Sequence, residues 1–404
     1  MFYRPILMLT FSLYLSMGCS GLGAAVQVGS RPDVVFLSPD DSPFWHMVSG
    51  FMTEVAADLD LNLEVLLDRN GHRYSYLQIA DDVLSRENKP DYLVFMCKEQ
   101  VTTRMLRYAN EVGVKVFTFN TGIPDATRAS VGLPRETLPN WIGHVMSDDA
   151  AAGRNLAILL EQQSQRLGLI GPGQPVPLIA LSGTLDSSAA KDRQQGLMST
   201  VDASQSKLLQ LVDAEWDREL AAVKTLVLLR RHPQATGIWS ASDGMALGAV
   251  KAARKAGRLP GKDVVIGGFD WEPEALAAIR SGDLAVSFGR HFMGGGLVLL
   301  LLHDYHYGFD FSDDRSSTVL SYQLQPVDIN NVDIIEKIMD REQWRSVDFS
   351  RFSRVSEPEK SESRPGADEL VNEFTNALIE AYSISVSRLL LGPCTSSAPD
   401  SGNR

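Results

Sequence analysis

Three cysteines in 404 residues are too few for a disulfide framework. Cys97 ends the apolar run YLVFMC and reads as a small buried hydrophobe; a bridge to Cys394 is left open. Positive charge is also scarce, with 38 Lys and Arg against 50 Asp and Glu. The resulting net charge of −12 repels phosphate backbones and anionic lipid surfaces, so nucleic acid is not an expected partner. Apolar runs are short. Ile6 to Met17 is too brief to span a bilayer comfortably, and GLVLLLLHDYHYG holds only about ten apolar residues before His303 and Asp304, so it reads as a buried helix.

The chemistry-bearing motifs of enzymes are missing too. GPGQP is a proline-rich connection, and MGGGL has neither the spacing nor the following Lys-Ser/Thr of a phosphate-cradling loop. Ser188 to Lys191 matches a serine–lysine nucleophile pattern, and Ser-Asp-Gly occurs at Ser242, but no Lys-Thr-Gly follows. His303 and His306 lie three apart on one helix face with no third metal ligand nearby. The expectation is a protein without catalysis, cofactor or metal.

What the chain does have is apolar residue: 44% hydrophobic against 22% charged, enough to bury two compact lobes. The first 25 residues read as an export signal, with Arg4 as their only charge and small residues Gly23, Ala24 and Ala25 before the mature chain. Gly18-Cys19 offers the alternative of a lipoprotein site acylated at Cys19. From Asp33 onward, short apolar runs alternate with segments of helical periodicity. DVVFLS, LNLEVLLD and DYLVFMC read as strands, each followed by a helix, and KVFTFN as a further strand; after a loop running to about Trp141 the alternation restarts with PLIALSG, KLLQLVD, TGIWSAS and DVVIGGFD. Repeated strand–helix units require doubly wound parallel sheets, here two of them, in an α/β fold.

Open parallel sheets bind ligands outside the carboxyl ends of their strands, where loops and helix N-termini converge. That rule selects Asp40, Asp41, Ser42, Phe44 and Trp45, then Asn120, Gly183, Thr184, Ser242, Asp243, Asp270 and Trp271. Most are polar or aromatic. Flat aromatic faces and planar hydrogen-bonding groups suit a sugar, with its apolar C–H faces and rim of hydroxyls.

The stretches SPDDSPFW, VFTFN, VMSDDAAAG, ALSGTLDSSAAKDRQQG, WSASDGMALGAV and VIGGFD, in that order, resemble the type 1 periplasmic binding proteins, in particular the ribose-, galactose- and autoinducer-2-binding branch. The resemblance covers about residues 31 to 350. It implies two lobes joined by a three-strand hinge with the ligand in the cleft between them. Residues 31–146 with 291–322 would form the N-terminal lobe, 147–290 with 323–355 the C-terminal lobe, and 356–404 an extension that typical members lack. It also implies ligand contacts from Ser42, Phe44, Trp45, Asn120, Arg193, Asp243, Asp270 and Arg290, with Asp148 as a structural cap between lobes. Asn120 and Thr121 stand where the family commonly has Asp and Arg, so the usual ribose or pyranose selectivity is in doubt, while Arg290 hints at an oxygen-rich or anionic ligand.

The implied function is a periplasmic solute-binding protein that closes on a small polyhydroxylated ligand and presents it to a membrane permease of the ABC class. The alternative outlet is a sensor protein, a membrane kinase or cyclase that reads the closed form. A sugar-responsive repressor of the same fold would need a helix-turn-helix headpiece, for which the apolar stretch before Asp33 is unsuited. The helical segment from Ala367 is expected to contact a partner or the protein's own lobe.

Overall fold

The apolar runs become the strands of two six-stranded sheets in the computed structural model, which describes residues 31–203, 206–313, 317–356 and 365–391, with side chains as far as residue 384. The export signal expected over residues 1–25, Cys19 and Cys394 lie outside the described residues. The first sheet runs, in spatial order, β11 (Val319–Tyr322), β5 (Trp141–Ser147), β4 (Lys115–Asn120), β3 (Tyr92–Met96), β1 (Asp33–Ser38) and β2 (Asn62–Leu67), all parallel. The second runs β12 (Gln325–Val327), β10 (Val286–Gly289), β9 (Val265–Phe269), β8 (Gly237–Ser240), β6 (Val176–Ser182) and β7 (Ser206–Asp213). Only β12 is antiparallel, to β10.

The chain passes between the sheets three times: from β5 into helix α5 (Asp149–Arg166), from β10 into α10 (Gly294–His306), and from β11 to β12. The short helix α4 (Asp125–Val131) falls in the stretch read from sequence as a loop to about Trp141, and strand β5, which begins there, is not read as a strand from sequence. WIGHVMS carries Gly143 and His144 in its middle, which masks a strand buried on both faces. Phe117 and Phe311 fill the space beside Gly143, and His144 is buried beneath the sheet.

Helix α10 is apolar all round because it is enclosed all round, by α1 (Pro43–Asp58) on one side and β4 and β5 on the other. No helix among the described residues is long and apolar enough to cross a membrane. His303 and His306 face different partners: His303 lies 3.0 Å from Ser353, and His306 lies 3.2 Å from the Tyr92 hydroxyl.

After β12, α11 (Val332–Ile338) packs on α9 (Pro273–Ser281) of the second lobe, and Arg280 pairs with Asp333 at 2.8 Å. Residues 341–352, expected with the C-terminal lobe, return instead to α1 of the first. Arg341 donates to Glu54 at 2.7 Å, the Phe349 amide donates to Asp58 at 2.9 Å, and the rings of Trp344 and Phe349 meet Phe51 edge-on. Helix α13 (Ala367–Leu391) then lies along β11, α10, α11 and α12 (Arg341–Arg345), so it touches elements of both lobes. Its apolar stripe of Leu370, Val371, Phe374 and Leu378 is buried, with Phe374 in a cluster with Phe51, Phe349 and Phe352.

Two expectations follow. Phe374→Ala removes the centre of this cluster and should lower the unfolding free energy by about 3–5 kcal/mol in urea titrations, the range for a buried aromatic truncated in a packed core. A loss well under 1 kcal/mol would mean that α13 is not part of the cooperative unit.

The second concerns His144. Thr118 Oγ1 accepts from the Trp141 indole at 2.9 Å and shares a hydrogen bond with His144 Nδ1 at 2.8 Å. Burial pushes the His144 pKa down to about 3, helped by the charge of Arg128. The folded imidazole is therefore neutral, whereas the unfolded one takes a proton near pH 6.5. Stability from this group is complete above about pH 6.5 and is lost as pH falls towards 3, because the unfolded state then binds the extra proton. Replacing His144 by Asn should shrink the stability lost between about pH 7.5 and about pH 5 by about 2 kcal/mol.

Candidate functional site

Residues with positive φ mark where the strands end. Asn120 (φ 72°) closes β4, Glu215 and Trp216 (55° and 62°) follow β7, Asp270 and Trp271 (119° and 59°) follow β9, and Arg290 (72°) follows β10. Such backbone persists only where the surroundings hold it, and it concentrates at sites.

At the centre is Arg193, on the buried face of α6 (Ser188–Asp202), whose side chain is 5% exposed. Its Nε donates to Asp149 Oδ1 at 2.7 Å and its Nη1 to the Ala241 carbonyl at 2.7 Å. Nη1 lies 3.8 Å from Asp270 Oδ1, and the guanidinium stands 4.4 Å over the Phe269 ring. Burial opposes the charge, but Asp149, Asp270 and Asp243 outweigh it and hold the Arg193 pKa above its ordinary value. This placement depends on α5 and α6 being unusually close. A Cβ on Gly153 would fall far inside van der Waals contact of the Arg193 carbonyl, and one on Gly196 would collide with that of Ala150.

The facing wall comes from the first lobe. Pro43 at the first turn of α1, with Ser42 at the N-cap position, turns Phe44 and Trp45 inward. Trp45 meets Phe36 and Phe119, and Phe44 stacks on His291 with centroids 4.5 Å apart. His291 Nε2 is 3.1 Å from Asp270 Oδ1. Burial pushes Asp270 up to about 7, against the lowering effect of Arg193. Asn120 is buried at its strand end, its Oδ1 without a protein partner, and the adjacent Thr121 hydroxyl donates to the Cys97 carbonyl at 2.9 Å. The walls touch at the rim: Arg73 pairs with Asp186 at 2.8 Å, Lys191 pairs with Glu99, and the Ser188 hydroxyl donates to the Gly122 carbonyl at 3.3 Å.

Six of the eight residues expected at the ligand thus stand at these two walls: Ser42, Phe44, Trp45 and Asn120 on one, Arg193 and Asp270 on the other. Asp243 and Arg290 bond to other parts of the chain, with Asp243 Oδ1 left without a partner. Asp243 has no exposed surface; its Oδ2 accepts from the Ser287 hydroxyl at 2.8 Å and from the Glu272 amide at 3.1 Å, tying the end of β8 to β10. The cap of helix α8 (Asp243–Lys255) is Ser242, not Asp243. Arg290 is held by the C-terminal helix: Nη2 donates to Asp368 at 2.5 Å, Nη1 to Asn372, and Nε to the Gln323 carbonyl at 2.7 Å. Three of the five N–H donors of Arg290 are thus used within the chain, at the third crossing and on the C-terminal helix. Asp148 caps α5 through the Ala151 amide and accepts from the Gln323 side chain at the third crossing, the structural role expected of it.

Three participants were not singled out from sequence. Asp149 looked like one more acidic residue in a helix's first turn. His291 was hidden behind Arg290. Trp216 packs its ring on Gly183 and donates to Thr184 at 3.3 Å, at the mouth of β6; its position after β7 was the available signal.

The Arg193–Asp149 pair makes a testable demand. Arg193→Ala leaves a buried carboxylate without its cation and should destabilise the fold by about 3–5 kcal/mol. Adding Asp149→Asn should restore part of that loss in urea titrations; strictly additive losses would show that the two are not coupled.

Comparison with known proteins agrees with this architecture. The family model described as a periplasmic binding protein domain matches residues 34–291. A ribose import binding protein of Salmonella typhimurium is 25% identical over 254 residues, 63% of this chain and 77% of that one. A periplasmic sugar-binding protein from Pseudomonas fluorescens superposes with a TM-score of 0.73 at 31% identity, covering 84% of this chain and 99% of the other. The binding component of an arabinose ABC transporter from Shewanella, bound to L-arabinofuranose, superposes with a TM-score of 0.66 at 18% identity, covering 77% and 96%. The chain belongs to the type 1 periplasmic binding protein family.

Proposed function

We propose that this protein is an exported solute-binding protein that closes on a small, uncharged, polyhydroxylated ligand and presents it to an ABC permease. The observation that carries the reading is the meeting of an aromatic wall, Phe44 and Trp45, with a polar one, Arg193 and Asp270, at the carboxyl ends of two parallel sheets. Rings grip the C–H faces of a sugar, and the amide and carboxylate take its hydroxyls. The names of the relatives, which speak of ribose, arabinose and sugar, support the same class.

The pairing of the arginines favours a ligand without charge. An anion is drawn to a cation that is not already matched by a carboxylate. Arg193 is paired with Asp149 and Arg290 with Asp368, so neither offers an uncompensated charge to an anionic ligand. The mechanism is a hinge: a ligand bonded to both lobes favours the closed arrangement by its differential affinity, and the permease reads that arrangement.

The reading is tested by thermal-shift screening of the purified protein against pentoses, hexoses, inositols and sugar acids, followed by calorimetry. A neutral polyol should raise the melting temperature, sugar acids should not, and Asp270→Asn should weaken binding of the best polyol more than tenfold, about 1.4 kcal/mol. Preferential binding of a sugar acid, or unchanged affinity in the variant, would contradict it.

A further inference from the structure

His291 sits at the second crossing and touches both lobes. Its ring lies against Phe44 of the first lobe with 27° between planes, and its Nε2 meets Asp270 of the second at 3.1 Å. Its carbonyl accepts from the Tyr322 hydroxyl at 3.2 Å, which fixes the backbone at the hinge. The residue is 1% exposed, and burial, with the nearby charge of Arg193, pushes its pKa down to about 3. The ring is therefore neutral near pH 7, with one nitrogen a donor and the other an acceptor. Nε2 is occupied by Asp270. Nδ1 is buried with no protein partner.

A buried polar atom left unsatisfied is costly, and native structures keep few of them. Here two belong to residues at the same pair of walls, His291 Nδ1 and Asn120 Oδ1, one at the hinge and one at the end of β4. The ring cannot easily turn to relieve itself, because Phe44 stacks on its face and Asp270 holds its other nitrogen.

We propose that His291 is a specificity-determining residue that reads one hydroxyl of the ligand through Nδ1 while its Nε2 holds Asp270 in place. The inference rests on the reading of the site as a polyol cleft and adds the group that discriminates within that class. Nδ1 takes the role opposite to Nε2: it accepts a ligand O–H when Nε2–H is donated to the Asp270 carboxylate, and it donates to a ligand oxygen when Asp270 carries the proton. A site built to bond a hydroxyl rejects the analogue that lacks it far more strongly than an apolar pocket rejects an extra group, because the buried partner is left unpaired. The imidazole would thus favour ligands bearing a hydroxyl at one particular carbon and discriminate against the matching deoxy compound.

The test uses the full mature chain and the polyol that binds it best in the screen above. In protein labelled with ¹⁵N-histidine, the Nδ1 resonance assigned to His291 by its disappearance in His291→Phe should shift when that polyol saturates the site. In calorimetry, His291→Phe, which keeps an aromatic ring against Phe44, should bind at least tenfold more weakly, and His291→Gln should recover part of the affinity. One monodeoxy analogue should lose at least tenfold with wild-type protein and lose little further with His291→Phe. An unmoved Nδ1 resonance together with unchanged affinity in His291→Phe overturns the proposal while leaving the polyol cleft standing. If His291→Phe does not fold, His291→Gln takes its place for assigning the resonance and for the deoxy comparison. If no neutral polyol binds wild-type protein at all, the reading of the cleft falls and this inference falls with it.

Discussion

A guanidinium buried at the meeting point of three strand ends must be surrounded by acceptors, and much of the second lobe is arranged to meet that demand. Arg193 finds acceptors because Asp149 begins α5 while Ala241 and Asp270 directly follow β8 and β9, all within reach of one side chain. The arrangement in turn requires α5 and α6 to approach so closely that Gly153 and Gly196 admit no side chain. A buried ion pair contributes little net stability when intact, but losing one partner is severe. Its effect is to hold the polar wall rigid, which is what a site needs if binding is to select one ligand geometry.

The hinge is bound together by a similar economy of groups. Asp148, at the first crossing, accepts from the Gln323 side chain at the third; Asp368 accepts from the Gln323 amide and from Arg290 at the second. Helix α13 therefore reaches two of the three crossings while its apolar stripe anchors in the Phe51, Phe349 and Phe352 cluster under the first lobe. The same helix turns Arg290 away from the cleft. That leaves His291, the next residue, as the group at the second crossing that faces Phe44 and Asp270.

The parallel sheets, most of the helices and the identity of both walls were legible in the residues. Unbroken apolar runs such as DVVFLS report burial on both faces, and the strand-end rule points to Phe44, Asn120 and Asp270 without any coordinates. Strand β5 was not legible, because a glycine and a histidine interrupt its pattern and their accommodation depends on Phe117, Phe311 and Thr118 from elsewhere in the chain. Nor was the return of residues 341–352 to α1, since MDREQWRSVDFS has a helix's polarity whichever lobe it covers.

The sequence by itself determined which segments are buried, in what order strands and helices alternate, and which polar and aromatic residues stand at strand ends, since all of these are local or periodic properties. Tertiary structure alone decided the partner of each charge. Arg193 and Arg290 look alike along the chain, yet one meets Asp149, 44 positions away, and the other meets Asp368, 78 away. A guanidinium's role is set by which acceptor lies within hydrogen-bonding distance, and no local pattern encodes that distance.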